Sequence, residues 1–349
     1  SLNMTGTWSV AAKHGEAVSL VKGLQDNFGK DVKFISAKGA NIDYSEKLEN
    51  VYAAHGKLTD RDNRPKEVLL KEAVDAANKS DVVVLAIGES AEMSGESSSR
   101  TEIDIPESQI DLLKELKKTG KPIVVVLFTG RPLALTNMKD LPDAILNVWF
   151  AGSEAGNAIS DVLFGKVNPS GKLPVTFPRS LGQVPIYYNH KNTGRPLGAD
   201  PTEKCVYERF RSNYMDECNT PLYPFGYGLS YTKFNYSGMS VSDSNPKGNQ
   251  TIQASVMVTN SGNYDGAEVV QLYIRDRVGS ITRPVKELKG FQKVYLKKGE
   301  SKKVTFNISS EDLKFYNNAL KYDWEAGEFD VMIGTNSDEV QITKINWTK

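Results

Sequence analysis

The chain has 349 residues, which is long enough for two domains with hydrophobic cores of their own. Lysine plus arginine equals aspartate plus glutamate at 43 each, so the charge predicts neither a nucleic-acid partner nor an anionic membrane surface and favours a neutral ligand. No run approaches the roughly 18 apolar residues of a membrane span, and the first residues show no signal peptide.

The first part of the chain alternates between helical and strand patterns. Apolar residues at three- and four-residue spacing predict helices over 16–28, 65–78, 107–118 and a stretch that ends at Gly165. Apolar runs predict strands over 31–36, 81–87, 122–128 and 143–150, the last three buried on both faces. This alternation predicts an α/β sandwich domain, in which a mostly parallel sheet carries helices on both faces.

The character of the sequence changes after residue 166. Residues 167–233 are rich in Pro, Gly, Tyr and Asn and predict an ordered, loop-rich wrap, because its aromatic side chains would be costly to leave in water. From Phe234 the apolar period falls to two, which predicts an all-β sandwich. The predicted domains are therefore 1–233, which includes the wrap, and 234–349.

An acidic segment, 88–106, follows the predicted strand 81–87. It carries Glu89, Glu92 and Glu96 and ends at Pro106, where the next helix begins. The carboxyl end of a parallel strand is the usual ligand side of such a sheet. A carboxylate there can be tuned by partial burial into a proton donor, so this acidic loop is the candidate site.

The cysteines of the chain are Cys205 and Cys218, in a polar region of the wrap. Two thiols without nearby histidines do not make a metal site. The residues leave open whether the two form a disulfide or stay free, because sequence does not fix their geometry.

Three segments carry a resemblance to a known family. They are WFAGSEAGNAISDVLFGKVNPSGKLPVTFP over 149–178, YPFGYGLSY over 223–231 and RPVKELKGF over 283–291. The chain closely resembles glycoside hydrolase family 3, of the periplasmic β-glucosidase type, along nearly its whole length.

The resemblance implies a multidomain protein. Family members of this type carry an N-terminal barrel, then an α/β sandwich domain, then a fibronectin type III-like domain, and this chain resembles the last two parts. The family's nucleophile is an Asp on the barrel, so it has no counterpart here. The start resembles the segment after the sandwich domain's first strand, which predicts an unpaired sheet edge, or a slot filled by another chain or segment.

The resemblance also implies an acid/base residue. The family places it four residues before an Arg that leads into an apolar-Asp-apolar-Pro ending, and Arg100 with 103–106 sets that register. The position is Glu96, with Glu92 and then Glu89 as competitors in register. Glu92, Ser97 and Arg100 are candidates for substrate contact, and Arg100 either orients Glu96 or anchors the loop.

The predicted function is the C-terminal part of a retaining β-glucosidase that removes terminal non-reducing β-D-glucosyl residues. Its partners would be a β-glucoside or oligosaccharide substrate and the enzyme's own barrel domain, and the family resemblance implies a periplasmic or secreted location. No cofactor, metal, nucleic acid or membrane span is expected. The alternatives are a non-catalytic carbohydrate-binding or interaction module and, less well supported by motifs, a nucleotide-binding protein.

Overall fold

The structure, a computed structural model, describes residues 3–9, 11–52, 60–197 and 205–349. The described chain divides into two compact units, 1–167 with 180–182 and 168–179 with 183–349. Most of the wrap thus belongs to the second unit by its contacts, while the sequence places a domain boundary at 233/234; that boundary stays a prediction. No helix of the described ranges is both long and apolar enough to cross a bilayer.

The first unit is a parallel sheet with helices packed on it. Its helices are α1 (Leu20–Phe28), α2 (Glu46–Tyr52), α3 (Lys66–Asn78), α4 (Glu107–Lys117) and α5 (Ala155–Leu163). Its strands are β1 (Val83–Gly88), β2 (Ile123–Phe128) and β3 (Ala144–Asn147), paired in parallel in that order. The predicted α/β class is confirmed.

Helix α1 begins four residues later than predicted. Ser19 accepts a hydrogen bond from the backbone N–H of Lys22 and so caps the helix at its start. Helices α1 and α5 approach so closely at Gly23 and Gly156 that a Cβ on Gly23 would lie 2.3 Å from the backbone of Gly156. Their apolar side chains cover β2 and β3.

Three strand predictions are corrected by the structure. The strand predicted over 143–150 is the shorter β3, and none of its residues is fully buried. Residues 31–36 form no strand, because they make no ladder with any described strand. Strand β1 pairs with β2 alone among the described residues, so its other edge is open. In addition, β1 is buried on one face only: Leu85 and Ile87 are buried, whereas Val82 and Val84 are 49% and 37% exposed.

The second unit contains antiparallel sheets that share a hydrophobic core. Its strands are β4 (Phe234–Val241), β5 (Thr251–Asn260), β6 (Gly266–Asp276), β7 (Glu287–Leu296), β8 (Ser301–Ser309), β9 (Phe315–Tyr316), β10 (Tyr322–Asp323), β11 (Gly327–Gly334) and β12 (Val340–Trp347). The sheets run β12-β11-β6-β7 and β4-β5-β8, with β9 and β10 as a short pair. The apolar residues that recur at every second position along these strands are buried, as the two-residue period predicts, namely Ile252, Ala254, Val256, Val258, Val270, Leu272, Ile274, Val304, Phe306, Ile308, Phe329, Val331 and Ile333.

Aromatic side chains of the wrap pack within the second unit. Tyr188 stacks on Phe225 with ring centroids 4.3 Å apart and meets Tyr273 of β6 edge to face. Cys205 and Cys218 are joined in a disulfide, which settles the pairing that the sequence left open.

Candidate active site

The acidic loop leaves the sheet at Gly88, the last residue of β1. Its φ is +129°, and a Cβ there would lie 1.8 Å from the carbonyl oxygen of Phe128, so only glycine fits this close approach of β1 and β2. A 3-10 helix over Ala91–Met93 follows. The Met93 side chain is buried and holds this first half of the loop in the core.

Glu96 lies at the exposed tip of the loop. Its neighbours Gly95 and Ser97 have φ of +121° and +60°, and the backbone N–H of Ser98 donates to the Gly95 carbonyl at 3.3 Å. The chain thus reverses direction around Glu96 and presents its side chain to solvent. Ser97, also exposed, carries a backbone conformation that is uncommon for a residue other than glycine.

Glu89, by contrast, is buried at the start of the loop, a position called the root of the loop below. Its carboxylate accepts hydrogen bonds from Arg100 Nη1 at 2.9 Å, Thr129 Oγ1 at 3.0 Å and the Gly130 N–H at 3.1 Å. The Arg131 Nε lies 3.0 Å away and completes the ion pairing. A carboxylate enclosed in this way is poorly placed to protonate a substrate, which weighs against Glu89 as the acid/base residue.

Arg100 closes the loop. Besides its ion pair with Glu89, its Nη2 donates to the Asp104 carbonyl at 3.3 Å. Burial raises the pKa of the Asp104 carboxyl, and Glu102 adds to that effect, while Arg100 opposes it. The geometry favours the anchoring role for Arg100, and its contact with a substrate stays a prediction.

Arg131 bridges the two segments on either side of the exposed tip. These segments, which contain Met93 and Ser98, are called the legs of the tip below. The Arg131 Nη2 donates to the Ser98 carbonyl at 2.9 Å and also to the carbonyl of Met93. The Ser98 hydroxyl donates to the Glu92 carbonyl at 3.0 Å, so the legs are bonded to each other as well. Glu92 itself is half-buried at this point.

The N-terminal segment braces the other side of the loop. The Asn3 side-chain oxygen accepts from the Ala91 N–H at 2.9 Å. The Thr7 hydroxyl contacts the carbonyl of Ala91 and lies 2.8 Å from that of Ser94. These contacts fix the backbone on both sides of Met93.

The sequence analysis does not identify Thr129, Gly130 or Arg131 as site residues. They follow β2 as Glu89 follows β1, and parallel neighbours bring their carboxyl ends to the same edge of a sheet. The position of an Arg directly after a buried strand, beside an acidic loop, was therefore a usable signal.

Two cavities of the described chain lie elsewhere. One, of about 360 Å³, is lined by residues of the 39–46 and 61–70 segments and Ser108, and the other, of about 320 Å³, by Asn192 and 275–283. Glu96 lines neither. Within the described ranges, no three His, Cys, Asp or Glu side chains converge as metal ligands.

Comparison with known sequence families gives two matches. The Glycosyl hydrolase family 3 C-terminal domain matches residues 1–231, and the Fibronectin type III-like domain matches residues 268–337.

Several curated proteins are similar to the chain. A periplasmic beta-glucosidase of Salmonella typhimurium is 49% identical over 339 residues, which is 97% of this chain and 44% of that protein. A beta-xylosidase of Formosa agariphila is 37% identical over 331 residues, covering 95% of this chain and 41% of its own length. The chain thus spans less than half the length of these relatives.

Solved structures give the same relationship. The beta-glucosidase from Listeria innocua in complex with glucose superposes with a TM-score of 0.85 at 37% identity, covering 100% of this chain and 44% of that one. A second structure of the same enzyme, in complex with isofagomine, has a TM-score of 0.85 at 36% identity.

Proposed function

Because the chain belongs to glycoside hydrolase family 3, we propose that it is the C-terminal part of a retaining β-glucosidase and that Glu96 supplies the general acid/base. The active site would be completed by an N-terminal barrel domain that lies outside this chain. The position of Glu96 carries the proposal: it is an exposed carboxylate on a loop whose root and legs are fixed.

In the two-carboxylate retaining mechanism, Glu96 acts twice. It first donates its proton to the glycosidic oxygen as the bond to the leaving group breaks, while the nucleophile forms an ester with the sugar. It then takes a proton from the water that hydrolyses this ester. Retaining enzymes hold the two carboxyl groups about 5 Å apart, so the barrel would place its Asp at that distance from Glu96.

The proposed substrates are β-glucosides and oligosaccharides with a terminal non-reducing β-D-glucosyl residue. The names of the Salmonella relative and of the Listeria enzyme support glucose. The Formosa relative is named a beta-xylosidase, so p-nitrophenyl xyloside belongs beside the glucoside in the assay. A higher kcat/KM for the xyloside would contradict the glucoside assignment but would leave the proposed mechanism unaffected.

A periplasmic or secreted location is proposed as well. The disulfide between Cys205 and Cys218 supports it, because such bonds persist mainly in oxidising compartments. The name of the Salmonella relative points the same way. Cell fractionation tests the location directly.

The test of Glu96 uses the chain joined to its barrel domain. Glu96→Ala should lower kcat/KM on phenyl glucoside, a substrate with a poor leaving group, by about 10²–10⁴-fold. The loss on dinitrophenyl glucoside should be far smaller, because that leaving group departs without a proton. Added azide should restore turnover of the ester and give glucosyl azide.

Two further variants sharpen this test. Glu102→Gln removes another exposed carboxylate of the same loop and should leave both substrates within about twofold of wild type. A selective loss with azide rescue in Glu92→Gln in place of Glu96→Ala would move the role to that residue. Wild-type turnover of phenyl glucoside by Glu96→Ala would contradict the proposal.

On its own, the chain is expected to be inactive. An acid/base without its nucleophile keeps little stabilisation of the transition state. Hydrolysis of p-nitrophenyl glucoside by the isolated chain at the rate of the whole enzyme would contradict this expectation. Sugar binding by the isolated chain that loop substitutions abolish would instead favour a carbohydrate-binding module.

A further inference from the structure

One guanidinium, that of Arg131, contacts the acidic loop at three separate places. Its Nε lies 3.0 Å from the Glu89 carboxylate at the loop's root. Its Nη2 donates to the Ser98 carbonyl at 2.9 Å and to the carbonyl of Met93. Met93 and Ser98 flank the four residues 94–97 that present Glu96, so one side chain ties both legs of the tip to the root.

The root itself is rigid. Glu89 is 4% exposed, and its oxygens are occupied by Arg100, Thr129 and the Gly130 N–H as well as by Arg131. Thr129 in turn accepts a bond from the backbone N–H of Arg131 at 3.1 Å. The Arg131 Nε–Glu89 contact is an ion pair without hydrogen-bond geometry, so the buried carboxylate holds the planar guanidinium at the root by charge. From there its Nη2 donates to the two carbonyls.

Besides Arg131, the Thr7 hydroxyl on the Ser94 carbonyl supports one side of the tip. Residues 95–97 are exposed, and two of them have positive φ. Without the bridge, the hydroxyl of Ser98 on the Glu92 carbonyl would be the main remaining bond between the legs. A loop tip of this kind samples several arrangements unless its legs are fixed.

We propose that Arg131 and Glu89 are positioning residues for the acid/base carboxylate. They fix the two legs of the tip and thereby set the location of Glu96 at the reacting oxygen. This inference rests on the proposed function of Glu96. It extends that function to Arg131, which follows β2, and to Glu89, the buried root of the loop that carries Glu96. A misplacement of about 1 Å in such a group is enough to cost about 10²-fold in rate.

The experiment compares Arg131→Met with Arg61→Met in the whole enzyme. Arg61 is a matched control: it pairs with the buried Glu49 at 2.7 Å and donates to the carbonyls of Asp43 and Tyr44, none of which belongs to the acidic loop. Both variants lose a buried ion pair and carbonyl bonds. Only Arg131→Met loses the bridge between the legs.

Arg131→Met should lower kcat/KM on phenyl glucoside by about tenfold to 10²-fold and on dinitrophenyl glucoside by less than about threefold. Its KM should change little. Azide should restore part of the deglycosylation rate, as in Glu96→Ala. Arg61→Met should lower thermal stability and keep the wild-type ratio between the two substrates. If Arg131→Met keeps the wild-type ratio of kcat/KM between the two substrates, whether or not both values fall, the positioning role is overturned.

A second variant covers the case in which Arg131→Met does not fold. Arg131→Lys keeps the positive charge beside Glu89, yet an ammonium lacks the fork that reaches the carboxylate and both carbonyls together. It should show the same selective loss at about threefold to tenfold. Full wild-type selectivity in Arg131→Lys would contradict the proposal.

Hydrogen exchange on the isolated chain gives a readout without turnover. Amides of 94–98 should exchange faster in Arg131→Lys than in wild type or Arg61→Met. The acid/base role of Glu96 and the positioning role of Arg131 can be contradicted independently. If Glu96→Ala shows no selective loss, the acid/base assignment is wrong. If Glu96→Ala shows it and neither Arg131 variant does, only the positioning role is wrong.

Discussion

The guanidinium of Arg100 lies 2.9 Å from the buried carboxylate of Glu89, so the root of the acidic loop is ion-paired with a residue beyond its tip. The two are eleven positions apart in sequence. The loop is therefore a closed structure on the sheet edge, and substitutions at its root should have measurable effects on stability and order.

Arg100→Met should destabilise the first unit. Glu89 keeps its bonds from Thr129 and Gly130 and its pair with Arg131, so the loss should be about 1–3 kcal/mol, below that of a carboxylate left with no partner. Urea unfolding measures it. Lys13→Met removes an exposed pair with Glu16 and should change stability by less than about 1 kcal/mol. A smaller effect at Arg100 than at Lys13 would contradict the anchoring role.

Gly130→Ala should disturb the loop from the opposite side. A Cβ at this position would lie 1.9 Å from the Ser94 hydroxyl oxygen and 2.6 Å from its Cβ, so Ser94 has to move. We expect a loss of about 1–3 kcal/mol and faster proteolytic cleavage within 90–100. Gly15→Ala, whose added Cβ would meet no atom within 4 Å, is the control. Equal melting temperatures for the two variants would show that the contact is not tight.

The disulfide should stabilise the second unit. Cys205 and Cys218 are 13 positions apart, and closing a loop of that size is worth about 3 kcal/mol in the chain-entropy account. Thermal unfolding of the wild type should shift to lower temperature when a reductant is added. The double variant Cys205→Ser/Cys218→Ser should start from that lower temperature and not respond to reductant. A response of the double variant would assign the shift to another cause.

The carboxyl group of Asp62 gives a prediction of pH dependence. Hydrogen bonds from the Arg64 side chain lower its pKa to about 2 from the usual 3.8. Because the folded pKa is depressed, the stabilising contribution of Asp62 is complete above pH 3.8 and is lost as the pH falls through about 2. An NMR titration of the Asp62 carboxyl carbon should have its midpoint near 2, and Arg64→Met should move it toward 3.8. A wild-type midpoint near 3.8 would contradict the pairing.

The second unit was largely predictable from sequence, because its core follows from alternation along each strand. Val256 and Val258 are buried for the same local reason that Met257 between them is partly exposed. Glu96 is assigned through the family resemblance and its register to Arg100; the structure places it at the exposed tip, and its role stays a prediction.

The parts that sequence did not predict depend on partners distant in the chain. The 31–36 segment has a strand-like composition, yet a strand exists only where another strand offers its hydrogen bonds. Val84 belongs to an apolar run, yet its exposure depends on what covers that face of the sheet. The contacts of Arg131 reach back 33 and 38 residues, and no local pattern encodes such distances.

The open edge of β1 has a practical consequence for work with this chain. No described strand pairs with this edge, which the Gln109 side chain covers only at Gly88, and the edge lies beside the exposed Val82 and Val84. Such a combination templates strand addition between molecules. Preparations of the isolated chain should therefore self-associate as their concentration rises. A charged residue on that face, as in Val84→Lys, should keep them monodisperse.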